Sequence, residues 1–128
     1  MDNFIRQAGE RSPLVNFDFS NHKLVMEGES YPEDAAAFFG PMMEALKAYL
    51  EGVGNNSLIF DLRLVYFNSS SAKALMNMFQ LFEKAAERGA GITINWWYHP
   101  EDDTMEEFGE DFSEDFQAVA FNLKTMED

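Results

Sequence analysis

The sequence predicts an α/β domain, a mixed β-sheet packed by about three helices in the order β-β-α-β-α-β-α-β. Three observations carry this. Residues 14–19 and 23–27 alternate apolar and polar side chains across a short polar turn, which is the pattern of a hairpin. Residues 57–86 pass from apolar runs through small polar residues into a helical spacing, with Leu75, Met78, Phe79, Phe82 and Ala86 on one face. Residues 92–98, ITINWWY, are β-branched and aromatic, a strand composition. Strand–helix–strand units of this kind imply parallel neighbours joined by right-handed crossovers, beside the antiparallel hairpin.

The elements follow in order. Residues 1–13 are polar with few apolar anchors, and a loose N-terminus is expected. Val15, Phe17 and Phe19 alternate along the first strand, Ser20, Asn21 and His22 turn the chain, and KLVME returns it. Residues 28–34, GESYPED, read as a connector punctuated by Gly28 and Pro32. It is either a plain link or a partner-contact loop. A helix is expected over residues 34–51, with Phe38, Met42, Leu46 and Tyr49 inward and Gly52 or Gly54 at its end. Pro41 implies a kink near Gly40 or a helix that begins at Pro41.

The stretch from residue 57 to 86 is central. Leu58, Ile59 and Phe60 form one apolar run and Leu64, Val65, Tyr66 and Phe67 another, read as a strand, a short linker and an exit. Asn68, Ser69, Ser70 and Ser71 then open the helix, and the serines stand where an N-cap belongs. A helix N-terminus has unpaired N–H groups and a partial positive charge, so an added phosphate is stabilised there. A serine at this place can be a cap, a phosphorylation site, or each in turn. Gly89 and Gly91 close that helix. Trp96 and Trp97 are adjacent and so face opposite sides of the strand, one inward and the other either a candidate anchor at an interface or covered by a helix. Residues 101–116 carry nine acids and no base, with Met105, Phe108, Phe112 and Phe116 at helical spacing. Gly109 weakens that helix. Residues 117–124 close the chain as a short strand, with Val119, Phe121 and Leu123 inward.

The chain has 128 residues, suited to one domain spanning 1–128, and 13 Phe and 8 Met with which to fill a core. A formal net charge of −14 would repel nucleic acid and anionic membrane surfaces, so neither is an expected partner. Without cysteine there is no disulfide scaffold, thiolate metal site or thiol nucleophile. No signal peptide is visible and no apolar run approaches the ~18 residues of a membrane span, so membrane insertion is not expected and a cytoplasmic location is.

Chemistry-bearing constellations are scarce. His22 and His99 have no second histidine or cysteine at ligand spacing, and no metal is expected. The acidic run lacks the central glycine and the twelfth-position glutamate of a calcium loop starting at Asp102 or Asp103. There is no phosphate cradle, dinucleotide fingerprint or nucleophile elbow, so no cofactor, catalytic residue or enzymatic activity is expected.

Residues 61–79, DLRLVYFNSSSAKALMNMF, resemble the central signature of the SiaC-type regulatory phosphoproteins, in Asp61, Leu62, Arg63, Tyr66, Asn68, Ser69, Ser70 and Ser71. Tyr31, Pro32 and Glu33 upstream and NWWY at 95–98 are similar to the family as well, and the likeness runs over roughly residues 16–123. The resemblance implies a STAS-like fold, like that of anti-sigma-factor antagonists, and a bacterial signalling switch rather than a catalyst. It implies phosphorylation of the motif's first hydroxyl by a serine/threonine kinase, removal by a PP2C-like phosphatase, and a partner-switching cycle. In that cycle the unphosphorylated form activates a diguanylate cyclase, raising c-di-GMP and favouring biofilm. Carried over, the phosphosite is Ser69, where the best-known member has threonine, with Ser70 and Ser71 as adjacent alternates. Asn68, Ser70, Ser71 and Lys73 make up the surrounding loop, Lys73 and Arg63 are cations that can pair with the phosphate, and Arg63, Tyr31 and Glu33 are candidate partner contacts. The alternative is a constitutive acidic interaction module whose serines only cap a helix. An enzyme or small-molecule binder is a third reading.

Overall fold

In a computed structural model, which describes residues 2–126, six strands form one mixed sheet in chain order. They are β1 (Phe4–Arg6), β2 (Leu14–Asp18), β3 (Lys23–Ser30), β4 (Ser57–Phe67), β5 (Gly91–Tyr98) and β6 (Ala120–Thr125). The pairs β1–β2 and β2–β3 are antiparallel, and the pairs from β3 to β6 are parallel. Helices α1 (Ala35–Glu51), α2 (Ser69–Glu87) and α3 (Asp103–Asp115) make the three crossovers. Each crossover steps to the next strand in the same direction, so right-handed connections put all three helices on one face.

That face is the core. Val15, Phe17, Leu24, Met26, Leu58, Phe60, Leu62, Ile92, Ile94 and Trp96 point into it. They meet Met42 and Leu46 of α1, Leu75, Met78, Phe79 and Phe82 of α2, and Met105 and Phe112 of α3 in one cluster. Within it the Phe79 ring lies edge-on to Phe112 at 5.1 Å and to Phe121 at 5.5 Å.

The expected α/β class, mixed sheet and helix order hold, with differences that have physical reasons. The segment expected to be a loose N-terminus contributes β1, an edge strand of three residues whose Phe4 ring leans on Phe17. Such a strand is too short to show a period. The expected linker between the apolar runs of the central strand is strand too, so β4 is continuous over eleven residues. Leu58, Phe60, Leu62 and Leu64 face the core while Ile59, Asp61, Arg63 and Val65 face away, a period of two that charged residues disguise. Gly28 does not end β3 but stands at a register shift. Gly28 pairs with Leu64 and Glu29 with Tyr66, so Val65 is an extra, bulged residue. The positive φ of Gly28, 111°, suits glycine alone.

Helix α1 starts before Pro41 and runs through it. Pro41 and Ala37 are both exposed, so the carbonyl that loses its amide partner is open to water. Of the two adjacent phenylalanines Phe39, not Phe38, is buried, and Phe38 packs edge-on against it at 4.9 Å. In α3, Phe108 stays exposed with its ring 4.8 Å from Phe67, while Met105, Phe112 and the C-cap residue Phe116 are buried. Gly109 is there because its backbone abuts the Trp96 indole, where a Cβ would stand 2.5 Å from Cδ1. Strand β6 begins at Ala120 because the N–H groups of Gln117, Ala118 and Val119 donate to the Glu83 carboxylate instead of to the sheet. Among the described residues, no helix is long and apolar enough to cross a membrane.

Candidate functional site

The site is built where β3 and β4 end and α2 begins. Asn68, not a serine, is the N-cap. Its extended backbone leaves its Oδ1 to accept the Ser71 N–H at 2.9 Å. Its own N–H donates to the Ser30 carbonyl at 3.1 Å, and its carbonyl accepts the Ala72 N–H at 2.9 Å. The cap is thereby fixed both to the end of β3 and to the first turn of α2.

The three serines are the first three helical residues and have different fates. Ser71 is fully buried, and its Oγ donates to the Ser30 carbonyl at 2.9 Å. Its single hydrogen is then used, so the 2.8 Å contact between the two hydroxyls has Ser30 as donor. Ser69 and Ser70 are exposed. Helix geometry gives their N–H groups no intrahelical acceptor, and the first turn of α2 contains no acidic residue. The positive end of the helix is therefore uncompensated at the two hydroxyls that solvent reaches. Lys73 is exposed one turn further on, a spacing at which side chains on a helix meet.

Tyr31 and Tyr66 stand next to the Ser30–Asn68 contact, while Arg63 lies back along β4. Tyr31 is T-shaped against Tyr66 at 5.7 Å. Its N–H donates to the Arg11 carbonyl at 2.7 Å and its hydroxyl to the Glu10 carbonyl at 3.2 Å. Glu33 is ion-paired with Arg11, so residues 10 and 11 fold over the 28–34 segment. The bulge at Val65 leaves Val65 42% and Tyr66 52% exposed before Phe67 turns back into the core. Arg63 sits four strand residues, about 13 Å, before the end of β4 and on the face away from α2. Its guanidinium lies 4.1 Å from the centre of the Trp97 ring, too far along the strand to pair with a phosphate on Ser69.

Trp96 is the inward tryptophan, with Nε1 donating to the Met105 carbonyl at 2.9 Å, and Trp97 is half-buried on the opposite face. His22 has a left-handed backbone, and its Nδ1 lies 2.5 Å from the Tyr49 hydroxyl, remote from the cap in the fold. Burial pushes the Tyr49 phenol up to about 12. Among the described residues, no cluster of three or more His, Cys, Asp or Glu side chains is placed to hold a metal. Sequence reasoning missed the Ser30–Ser71 pair, because nothing in a sequence joins hydroxyls 41 positions apart.

The family model described as SiaC family regulatory phosphoprotein matches residues 6–126. The chain belongs to the SiaC family of regulatory phosphoproteins. An uncharacterized protein of Pseudomonas aeruginosa (strain UCBPP-PA14) is 34% identical over 106 residues, 83% of either chain. The crystal structure of apo-SiaC from Pseudomonas aeruginosa is 30% identical and superposes with a TM-score of 0.84, over 99% of this chain and 100% of that one. SiaC in the crystal structure of the diguanylate cyclase SiaD with its activator SiaC, also from Pseudomonas aeruginosa, is 30% identical with a TM-score of 0.90, over 96% and 99%. These matches span the sheet and the three helices.

Proposed function

We propose that this SiaC-family chain is a phosphorylation-controlled partner switch, itself without catalytic activity, acting in the cytoplasm. Unphosphorylated, it binds and activates a diguanylate cyclase. A serine/threonine kinase modifies Ser69 and thereby breaks that complex, and a PP2C-like phosphatase restores it. The observation that carries the reading is the split among the serines. Ser69 and Ser70 are exposed at an uncompensated helix N-terminus, whereas Ser71 is buried with its hydroxyl committed twice. The activator role of the relative in complex with SiaD supports the choice of partner.

The physics favours a switch that leaves the fold alone. A phosphate adds about −1.5 to −2 charges and three acceptor oxygens. On Ser69 it meets the free N–H groups of the first turn and Lys73, so α2 itself tolerates it. A partner docked over the cap instead meets new bulk and charge that it must desolvate. A loss of about 1.4–2.7 kcal/mol, ten- to hundredfold in affinity, is expected.

Phosphopeptide mapping by mass spectrometry on the protein from its native cells, across growth conditions, tests the reading. Phosphate on Ser69 that varies with condition is the expected result. Phosphate on Ser70 keeps the mechanism and moves the site. An unmodified peptide in every condition would leave a constitutive interaction module in its place.

A further inference from the structure

The two edges of the sheet are unlike. At one end β1 has three residues, and a strand so short offers little for another chain to pair with. At the other end β6 has six residues in unbroken register with β5, none of them proline and none buried. Its backbone is half committed. The Met126 N–H donates to the Tyr98 carbonyl at 2.7 Å. Alternate peptide groups of a strand point to the same side, so the N–H groups of Lys124 and Asn122 turn toward β5 as well. Those of Phe121, Leu123 and Thr125 turn outward, beyond the last strand of the sheet.

The side chains of β6 do not guard this edge. On the bare face of the sheet, away from the helices, Asn122 Nδ2 donates to Asn95 Oδ1 at 3.2 Å and Asn95 Nδ2 to Asp61 Oδ1 at 3.0 Å. Arg63 and Lys124 border that polar ladder, with Lys124 Nζ 5.4 Å from the centre of the Trp97 ring. The one charge of β6 therefore lies over the sheet and not beyond its edge. On the opposite face Phe121 and Leu123 pack against the core.

The flank of the edge is acidic. Helix α3 packs over β5 and β6, and residues 101–116 carry nine acids and no base. Phe108 meets Phe67 of β4, which turns its side of α3 toward α2. Helix geometry puts Glu106 and Glu110 on the other side, nearer the β6 edge. Glu106 Oε2 accepts the Tyr98 hydroxyl at 3.1 Å, and Glu110 is exposed one turn further on.

We infer that the β6 edge takes up an extended, basic segment of a protein partner as a seventh strand. The outward groups of Phe121, Leu123 and Thr125 supply its main-chain hydrogen bonds. Its side chains alternate between faces, and lysine or arginine on the helix side meets Glu106 and Glu110. A second copy of this chain is a poorer occupant. Two β6 strands paired antiparallel would set two acidic α3 helices on the same face across the join, in chains of net charge −14 each. The inference stands without the proposed switch, since β6 lies two strands from β4, which leads into Ser69.

The test uses the purified full-length chain and three short fluorescent peptides. In the first, lysine alternates with valine and threonine. The second is the same peptide N-methylated throughout, which keeps its charge and removes its N–H donors. In the third, glutamate replaces lysine. By fluorescence anisotropy the first is expected to bind at least tenfold more tightly than either control. It should also slow amide hydrogen exchange at Phe121, Leu123 and Thr125. Thr125→Pro deletes an outward N–H and spares the bonds to β5, so binding should weaken roughly two- to tenfold, the worth of one hydrogen bond. Glu110→Lys, on the exposed face of α3, should weaken it as well, with circular dichroism confirming that both variants fold. No binding of the first peptide would overturn the inference. So would equal binding of the first two peptides, which charge attraction alone explains, or unchanged affinity in both folded variants. Self-association in sedimentation velocity that Thr125→Pro abolishes would also overturn it, by assigning the edge to a second copy.

Discussion

The hydroxyl of Ser71 lies 2.8 Å from that of Ser30, with both side chains buried. Ser71 also bonds the Ser30 carbonyl, which accepts the Asn68 N–H as well. The end of β3 and the start of α2 are thereby one rigid corner, and Ser69 and Ser70 are displayed from it. Ser71→Ala leaves the Ser30 hydroxyl without its acceptor, at a cost of about 1–3 kcal/mol. Chemical denaturation checks this. Ser71→Asp buries a charge and is expected to lower stability further rather than to imitate a phosphate.

Asn68→Ala removes the side chain that caps α2 and is expected to cost about 1 kcal/mol, while Asn68→Asp keeps the acceptor and costs less. Urea unfolding of the two variants gives the comparison. Because the cap also shapes the Ser69 loop, the alanine variant should be phosphorylated more slowly in a kinase assay.

Gly109→Ala places a Cβ at 2.5 Å from the Trp96 ring, with the indole fixed by its bond to the Met105 carbonyl. Overpacking of this kind costs about 1–3 kcal/mol. The thermal midpoint should fall, and the tryptophan fluorescence should shift as the ring is displaced.

The buried Tyr49 phenol, raised to about 12, ionises later in the folded chain than in the unfolded one. Between the unfolded value of ~10 and the folded value the native state binds more protons, so this group's contribution to stability declines as pH rises through that window. Burial and the neighbouring Glu106 carboxylate also raise the Tyr98 phenol, so near-ultraviolet absorbance during alkaline titration should show a late component that shrinks, without vanishing, in Tyr49→Phe.

These corners explain what could be read without coordinates. The strands with a clean period, such as Val15 and Phe17 or Ile92, Ile94 and Trp96, were legible because one face is apolar. Strand β4 read as broken because its outward positions are Asp61 and Arg63, which belong to the polar ladder of the bare face. The three residues of β1 carry no period at all. Phe38 and Phe39 are adjacent aromatics, and only packing decides which one turns inward. The serine cluster marked the start of α2, yet propensity named serine as the cap when Asn68 holds that place. Distinguishing Ser71 from its neighbours required Ser30, which reaches it through the parallel pairing of β3 with β4.

The measurement that bears most directly on the switch is the affinity of the diguanylate cyclase for this chain, unmodified and fully phosphorylated on Ser69, by isothermal titration. The account predicts ten- to hundredfold weaker binding of the phosphorylated form, with the circular dichroism spectrum unchanged. Equal affinities for the two forms, both folded, would contradict it and leave the serines of α2 as parts of a helix start alone.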